Sequence, residues 1–269
     1  MLLLSNQRQS FLKKTATVRC SGFFYVCTEG HLSSNDSPNQ RFSSLTASIP
    51  SFDPRQVPVV GTDAHLPAIA AAGMTPQALR QRFAQPPQWQ PEVRREARFA
   101  QRQPVPASVL VPVVQREELT VLLTQRTQQL STHSGQVAFP GGKQDPEDRD
   151  PIMTALREAQ EEVGLEPSAV EVLGSLPIYE TGTAFIVTPV VALISPRITL
   201  RPNPQEVADV FEVPLRFLLN PANHRRHRLQ WQGMEREWFS MPYDDGGKER
   251  YIWGATAGML RNFYRFMTA

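Results

Sequence analysis

At 269 residues the chain can hold one large domain, or a medium domain with extensions, and its 41% hydrophobic content is ordinary for a soluble globular protein. Its 28 Lys and Arg nearly balance 26 Asp and Glu, so no global basic field marks a nucleic-acid binder. No apolar run reaches the ~18 residues a membrane-spanning helix needs. The two cysteines, Cys20 and Cys27, argue against a disulfide framework or a cysteine metal site.

Residues 1–50 are Ser-rich and acid-poor, with Glu29 and Asp36 against Arg8, Lys13, Lys14, Arg19 and Arg41. This reads as a disordered tail or a start placed too early, and the chain is expected in the cytoplasm; a transit peptide of similar composition would make it mitochondrial. Residues 51–102 are rich in Pro and Gln and read as an extension leaning on the main domain. The extension holds one short helix, "TPQALRQRF", with Thr75 as cap and Pro76 at the first helical position.

The main domain is expected over 103–269. "ASVLVPVV" and "LTVLLTQR" flank a polar turn and read as a hairpin. After "GQVAFPGG" and a turn-rich loop, a helix is predicted from Asp150 as N-cap and Pro151 to a left-handed cap at Gly164. Its apolar stripe is Ile152, Ala155, Leu156, Ala159 and Val163. Strands follow at "VEVLGSL", "FIVTPVVALI", "EVADVFEVPL", and "HRLQWQ" paired with "REWFSMPY"; "ATAGMLRNFYRFM" is a closing helix. Strands outnumber helices and most connections look hairpin-like, so the expected class is α+β, a mixed sheet with helices packed outside it. The basic run 224–228 reads as a charged loop.

The predicted helix gathers Glu158, Glu161 and Glu162 in its last turns, on a face expected to lie opposite the apolar stripe. Like charges at these spacings repel, and each opposes the negative end of the helix dipole by about 0.3–1 kcal/mol. A bound Mg²⁺ or Mn²⁺ would remove that penalty, because hard cations take oxygen ligands. "FPGG" allows a turn with close backbone approach at Gly141 and Gly142.

"GGKQDPEDRDPIMTALREAQEEVGL" resembles the Nudix box, with Arg157, Glu158, Ala159, Glu161, Glu162, Gly164 and Leu165 matching its second half. The first half departs: the box's first Glu falls on Asp148, and eight residues rather than seven separate it from Arg157. That argues against carrying a metal role to Asp148. The longer loop, and "LLTQRTQQLSTHSGQVAFPGG" upstream, resemble the branch of the family that cleaves coenzyme A and its thioesters. The resemblance covers roughly 108–260.

The resemblance implies a Nudix fold, a mixed sheet core between helices. It also implies metal-dependent hydrolysis of the diphosphate of coenzyme A or acyl-CoA to adenosine 3′,5′-bisphosphate and 4′-phosphopantetheine or its acyl form. Glu158 and Glu162 are then metal ligands, with Glu161 a third ligand or a partner through water. Arg157 orients a glutamate, and the general base is Glu161 or Glu206. Arg126 and His133, with Gly141 and Gly142, would meet substrate phosphates. The expected partner is this small molecule, with neither nucleic acid nor membrane, and a homodimer stays open. Two alternatives stand beside it: a Nudix hydrolase for another nucleoside diphosphate derivative such as ADP-ribose, and a silent nucleotide-binding module.

Overall fold

The computed structural model describes residues 52–98, 102–128, 135–231 and 234–269. The extension contributes β1 (Val59–Thr62) and α1 (Pro76–Ala84), and Thr75 caps α1 by accepting from the Ala78 amide at 3.1 Å. Next come β2 (Val105–Val114), β3 (Thr120–Arg126), β4 (Val137–Ala138), β5 (Gly141–Lys143) and α2 (Pro151–Val163). β6 (Val170–Ser175), β7 (Tyr179–Glu180), β8 (Phe185–Ile194), β9 (Val207–Pro214) and the short α3 (Leu215–Leu218) follow. β10 (Arg225–Trp231), β11 (Met234–Asp245), β12 (Lys248–Trp253) and α4 (Gly254–Thr268) complete the order.

Two sheets result: β1-β10-β11-β12, and an eight-stranded sheet with path β4-β3-β2-β8-β6, on which β5 pairs with β2, β7 with β8 and β9 with β3. The centre of the larger sheet is a parallel pair, β2 with β8, in register from Val105↔Phe185 to Val114↔Ile194. Parallel neighbours need a crossover, and the connection from β2 to β8 carries α2. The expected β2–β3 hairpin is present but short, limited to Val113↔Val121 and Val114↔Thr120. Hairpins therefore do not dominate the sheet's centre. Both central strands read as near-continuous apolar runs because both of their faces are covered.

Alternation sorts those faces. Leu110, Val114, Leu122, Val190 and Ile194 pack with Ala155, Ala159 and Val163 of α2. Val111, Val113, Val121, Leu123, Val191 and Leu193 pack in a second cluster with Leu79 of α1 and Leu260 and Phe263 of α4. A mixed sheet between helices, the α+β arrangement, is the outcome.

The extension is built into this body. β1 pairs antiparallel with β10, and Leu79 is fully buried. Arg261 of α4, also fully buried, pairs with Asp63 at 2.9 Å and Glu92 at 2.8 Å, and Tyr264 donates to the Pro67 carbonyl at 2.8 Å. The basic run 224–228 lies mostly in β10 rather than a loop, and its charges are spent internally: Arg226 on Asp63 and Glu92, Arg228 on Glu237. Among the described residues no helix is long and apolar enough to cross a membrane.

Candidate active site

The helix that carries the carboxylates starts and stops where its caps dictate. Asp150 accepts from the Met153 amide at 2.9 Å, Pro151 opens α2, and Gly164 takes φ 67° while donating to the Gln160 carbonyl at 2.9 Å. Ala155, Ala159 and Val163 are fully buried against the sheet.

Glu158 and Glu162 are not on a solvated face. They are 2% and 3% exposed, so the expectation that they oppose the apolar stripe is corrected. At about 100° per residue Glu162 lies about 20° from Ala155 and about 60° from Ala159, on the flank of the stripe. There it meets β5, which antiparallel pairing with β2 holds at Ser108↔Gly142 and Val109↔Gly141. Glu161 alone of the three reaches out, its side chain 41% exposed.

Two glycines make the contact. A Cβ on Gly142 would fall 2.4–2.5 Å from the carboxylate atoms of Glu158, and one on Gly141 would fall 2.4 Å from the Ser108 carbonyl oxygen. The Gly141 amide donates to Glu162 Oε2 at 3.2 Å. "FPGG" is thus a cradle for the helix carboxylates, a role that the turn reading left unspecified.

Arg157 gathers the acidic residues around it. Its Nε and Nη2 clasp Asp148 at 3.1 and 2.9 Å, Nη1 donates to Glu158 Oε1 at 2.9 Å and Glu161 Oε2 at 3.2 Å, and Nη2 also reaches the Lys143 carbonyl at 3.0 Å. Asp148, buried, accepts from the Asp145 amide as well, at 3.0 Å. The guanidinium beside it holds its carboxyl below the usual carboxylate range. The residue at the shifted position of the box therefore fastens Arg157, and the longer loop is what brings it back.

Arg126 and Glu206 also arrive here. Arg126 Nη1 lies 3.5 Å from Glu162 Oε1, both side chains buried, and Arg126 Nε is buried without a hydrogen-bond partner among the described residues. Glu206 is 8% exposed; its Oε1 accepts from Asn203 Nδ2 at 3.2 Å, and its backbone carbonyl accepts from the Thr127 amide at 3.0 Å. It is close enough to Glu158 and Glu162 to raise the pKa of both. His133 lies outside the described residues.

Burial is the main cause that pushes Glu158 up to about 7 and Glu162 up to about 8; Arg157 offsets part of it for Glu158, and Arg126 for Glu162. Glu158 Oε2 is buried with no hydrogen-bond partner among the described residues. The described side chains do not stand as a ready set of three metal ligands. The chemistry of the donors nevertheless fits a hard divalent cation: Glu158, Glu162, Glu161 and Glu206 are oxygen donors, and all but Glu161 are buried at a desolvation cost that such an ion offsets.

A cavity of about 520 Å³ adjoins the carboxylates, its lining including Gly141, Gly142 and Arg126 together with Trp238, Tyr251 and Trp253.

The NUDIX domain family model matches residues 104–232. NudL of Yersinia enterocolitica, an uncharacterized Nudix hydrolase, is 43% identical over 175 residues, spanning 61% of this chain and 87% of NudL. NudL of Yersinia pestis is 41% identical over 156 residues, 58% of this chain and 76% of the relative. Among solved structures, a C. elegans Ap4A hydrolase binary complex aligns with 44% of this chain and 85% of its own, at 22% identity and TM-score 0.36. The chain belongs to the Nudix hydrolase family, whose members cleave pyrophosphate bonds in nucleoside diphosphate derivatives.

Proposed function

We propose that this chain hydrolyses the diphosphate bond of coenzyme A or an acyl-CoA, in the presence of Mg²⁺ or Mn²⁺, releasing adenosine 3′,5′-bisphosphate and 4′-phosphopantetheine or its acyl form. The observation that carries the hydrolytic reading is the pair of buried carboxylates, Glu158 and Glu162, pressed against Gly141 and Gly142 beside a cavity that Arg126 also lines. The coenzyme A reading is supported by the segment from Leu122 to Gly142 and by the extra residue between Asp148 and Arg157.

Glu158 and Glu162 would hold the cation, with Glu161 as a further donor. When bound, the ion neutralises the diphosphate, polarises the phosphorus under attack and lowers the pKa of the attacking water. Arg157 positions Glu158 and Glu161 while fastened to Asp148. Arg126, paired with Glu162 and with Nε unpartnered among the described residues, places a guanidinium for a phosphate oxygen. Glu206, placed by the ties of residues 203–206 to Thr127 and α2, takes the proton of the attacking water; Glu161, held by Arg157, is the less available base. Gly141 and Gly142 keep the backbone low enough for the diphosphate to approach the carboxylates.

The test is a comparison of coenzyme A, 3′-dephospho-coenzyme A and ADP-ribose as substrates for the purified chain with Mg²⁺ or Mn²⁺, with products identified by mass. Higher kcat/KM on coenzyme A supports the proposal. Preference for ADP-ribose would move the chain to another nucleoside diphosphate derivative, and turnover of none of them would leave a binding module.

A further inference from the structure

The cavity beside the carboxylates is completed by residues outside 104–232. Phe52 and Arg55 come from the extension, Trp238 from β11, and Tyr251 and Trp253 from β12. Three of these rings form an aromatic wall: Phe52 and Trp238 have centroids 5.5 Å apart at 51°, Phe52 and Trp253 6.3 Å at 76°, and Trp238 and Trp253 6.4 Å at 70°. Rings so inclined meet at a tilt or edge to face rather than in parallel stacks, and all three remain only half-buried. His227 stacks on Trp238 at 5.4 Å and 7°, which backs one face of that indole and fixes its plane.

The extension is pinned where it joins this wall. Tyr251 donates its hydroxyl to the Pro54 carbonyl at 3.0 Å, Asp53 accepts from the Arg55 amide at 3.0 Å, and Arg55 Nε reaches Glu249 Oε1 at 3.3 Å. The wall is therefore held at both chain segments before any ligand arrives, which limits the ordering cost of binding.

We infer that this aromatic wall is the subsite for the purine base of the substrate, so that the N-terminal extension supplies part of the base-binding surface. A planar heteroaromatic ring lies on tilted π-faces with favourable stacking. It also carries ring-nitrogen acceptors, and the Trp238 indole N–H is buried without an acceptor among the described residues. An alkyl or pantetheine arm would use the apolar surface but not the π-faces. The inference rests on the proposed hydrolysis only in taking the substrate to be an adenine nucleotide derivative.

The experiment is a titration of the intrinsic tryptophan fluorescence of the full chain with 5′-AMP, with ribose 5-phosphate and with 4′-phosphopantetheine, in EDTA so that turnover is absent. Saturable quenching by 5′-AMP and none by ribose 5-phosphate is expected. Phe52→Ala should weaken 5′-AMP binding about fivefold or more, the size of one lost stacking partner, and raise KM for coenzyme A more than it lowers kcat. Phe52→Tyr keeps an aromatic face at the same position and should restore affinity to within about threefold of the wild type, which separates lost stacking from a folding artefact. Equal quenching by the sugar phosphate, unchanged 5′-AMP affinity in a folded Phe52→Ala, or saturation by 4′-phosphopantetheine alone would each overturn the assignment. Coenzyme A turnover without base-dependent binding sinks this inference alone, whereas 5′-AMP binding without coenzyme A turnover sinks only the proposed reaction.

Discussion

Gly142 of β5 and Glu158 of α2 are in such close contact that the hydrogen of the glycine is the largest substituent the carboxylate leaves room for. Gly142→Ala must displace Glu158 or the β5 backbone, an overpacking of about 1–3 kcal/mol. The expected result is a folded protein with a lower Tm and a fall in kcat much larger than any change in KM. Circular dichroism melts and steady-state kinetics check it; wild-type kcat would show that Glu158 moves without consequence.

Arg157 holds Asp148 bidentately while reaching Glu158 and Glu161 through Nη1. Lysine keeps the charge but not the fork. Arg157→Lys is therefore expected to lower activity about 10–100-fold, as the loss of a partner that orients ligands does, and Asp148→Asn should act in the same direction more weakly. Kinetics on both variants and the double variant decide, since a shared path predicts less than additive losses.

Burial pushes Glu158 and Glu162 up to about 7 and about 8, above their unfolded values. In the absence of a cation their contribution favours the fold below the unfolded carboxylate range and is lost as pH rises through those values. A divalent cation competes with the protons, so stabilisation by Mg²⁺ should grow as pH rises from about 6 to about 9. Thermal melts with Mg²⁺ and with EDTA across that range measure it. A pH-independent Mg²⁺ effect in the wild type, or an unchanged pH response in Glu162→Gln, would oppose this account.

Far from the carboxylates, His224 is fully buried, accepts from Arg261 Nη1 through Nδ1 at 3.1 Å, and donates from Nε2 to the Leu218 carbonyl at 2.7 Å. Burial lowers its pKa to about 4. Because the folded value is depressed, stability is present above about 6.5 and lost as pH falls through 4, by roughly 3 kcal/mol in all. Urea denaturation of the wild type should show this acid loss, and His224→Asn should flatten it. An identical acid slope in the variant would place the loss elsewhere.

Legibility tracked the range of the interactions. The caps of α2 were readable because Asp150, Pro151 and Gly164 act within one turn of their own positions. The parallel pairing of β2 with β8 was not, because both strands are buried on two faces and carry no alternation to fix a partner. Burial of Glu158 and Glu162 depends on β5, whose place is set by pairing with β2 rather than by anything in the helix. The clasp of Asp148 on Arg157 was within reach, since a box carboxylate shifted by one residue still needs a cationic partner. The wall of Phe52, Trp238 and Trp253 was out of reach, being assembled from both ends of the chain.

Equilibrium Mn²⁺ binding, followed by electron paramagnetic resonance on the wild type and on Glu158→Gln and Glu162→Gln, addresses the carboxylates without relying on turnover. A saturable site is expected in the wild type, lost or weakened at least tenfold, about 1.4 kcal/mol, in each folded variant. Equal Mn²⁺ binding by all three proteins would contradict this expectation.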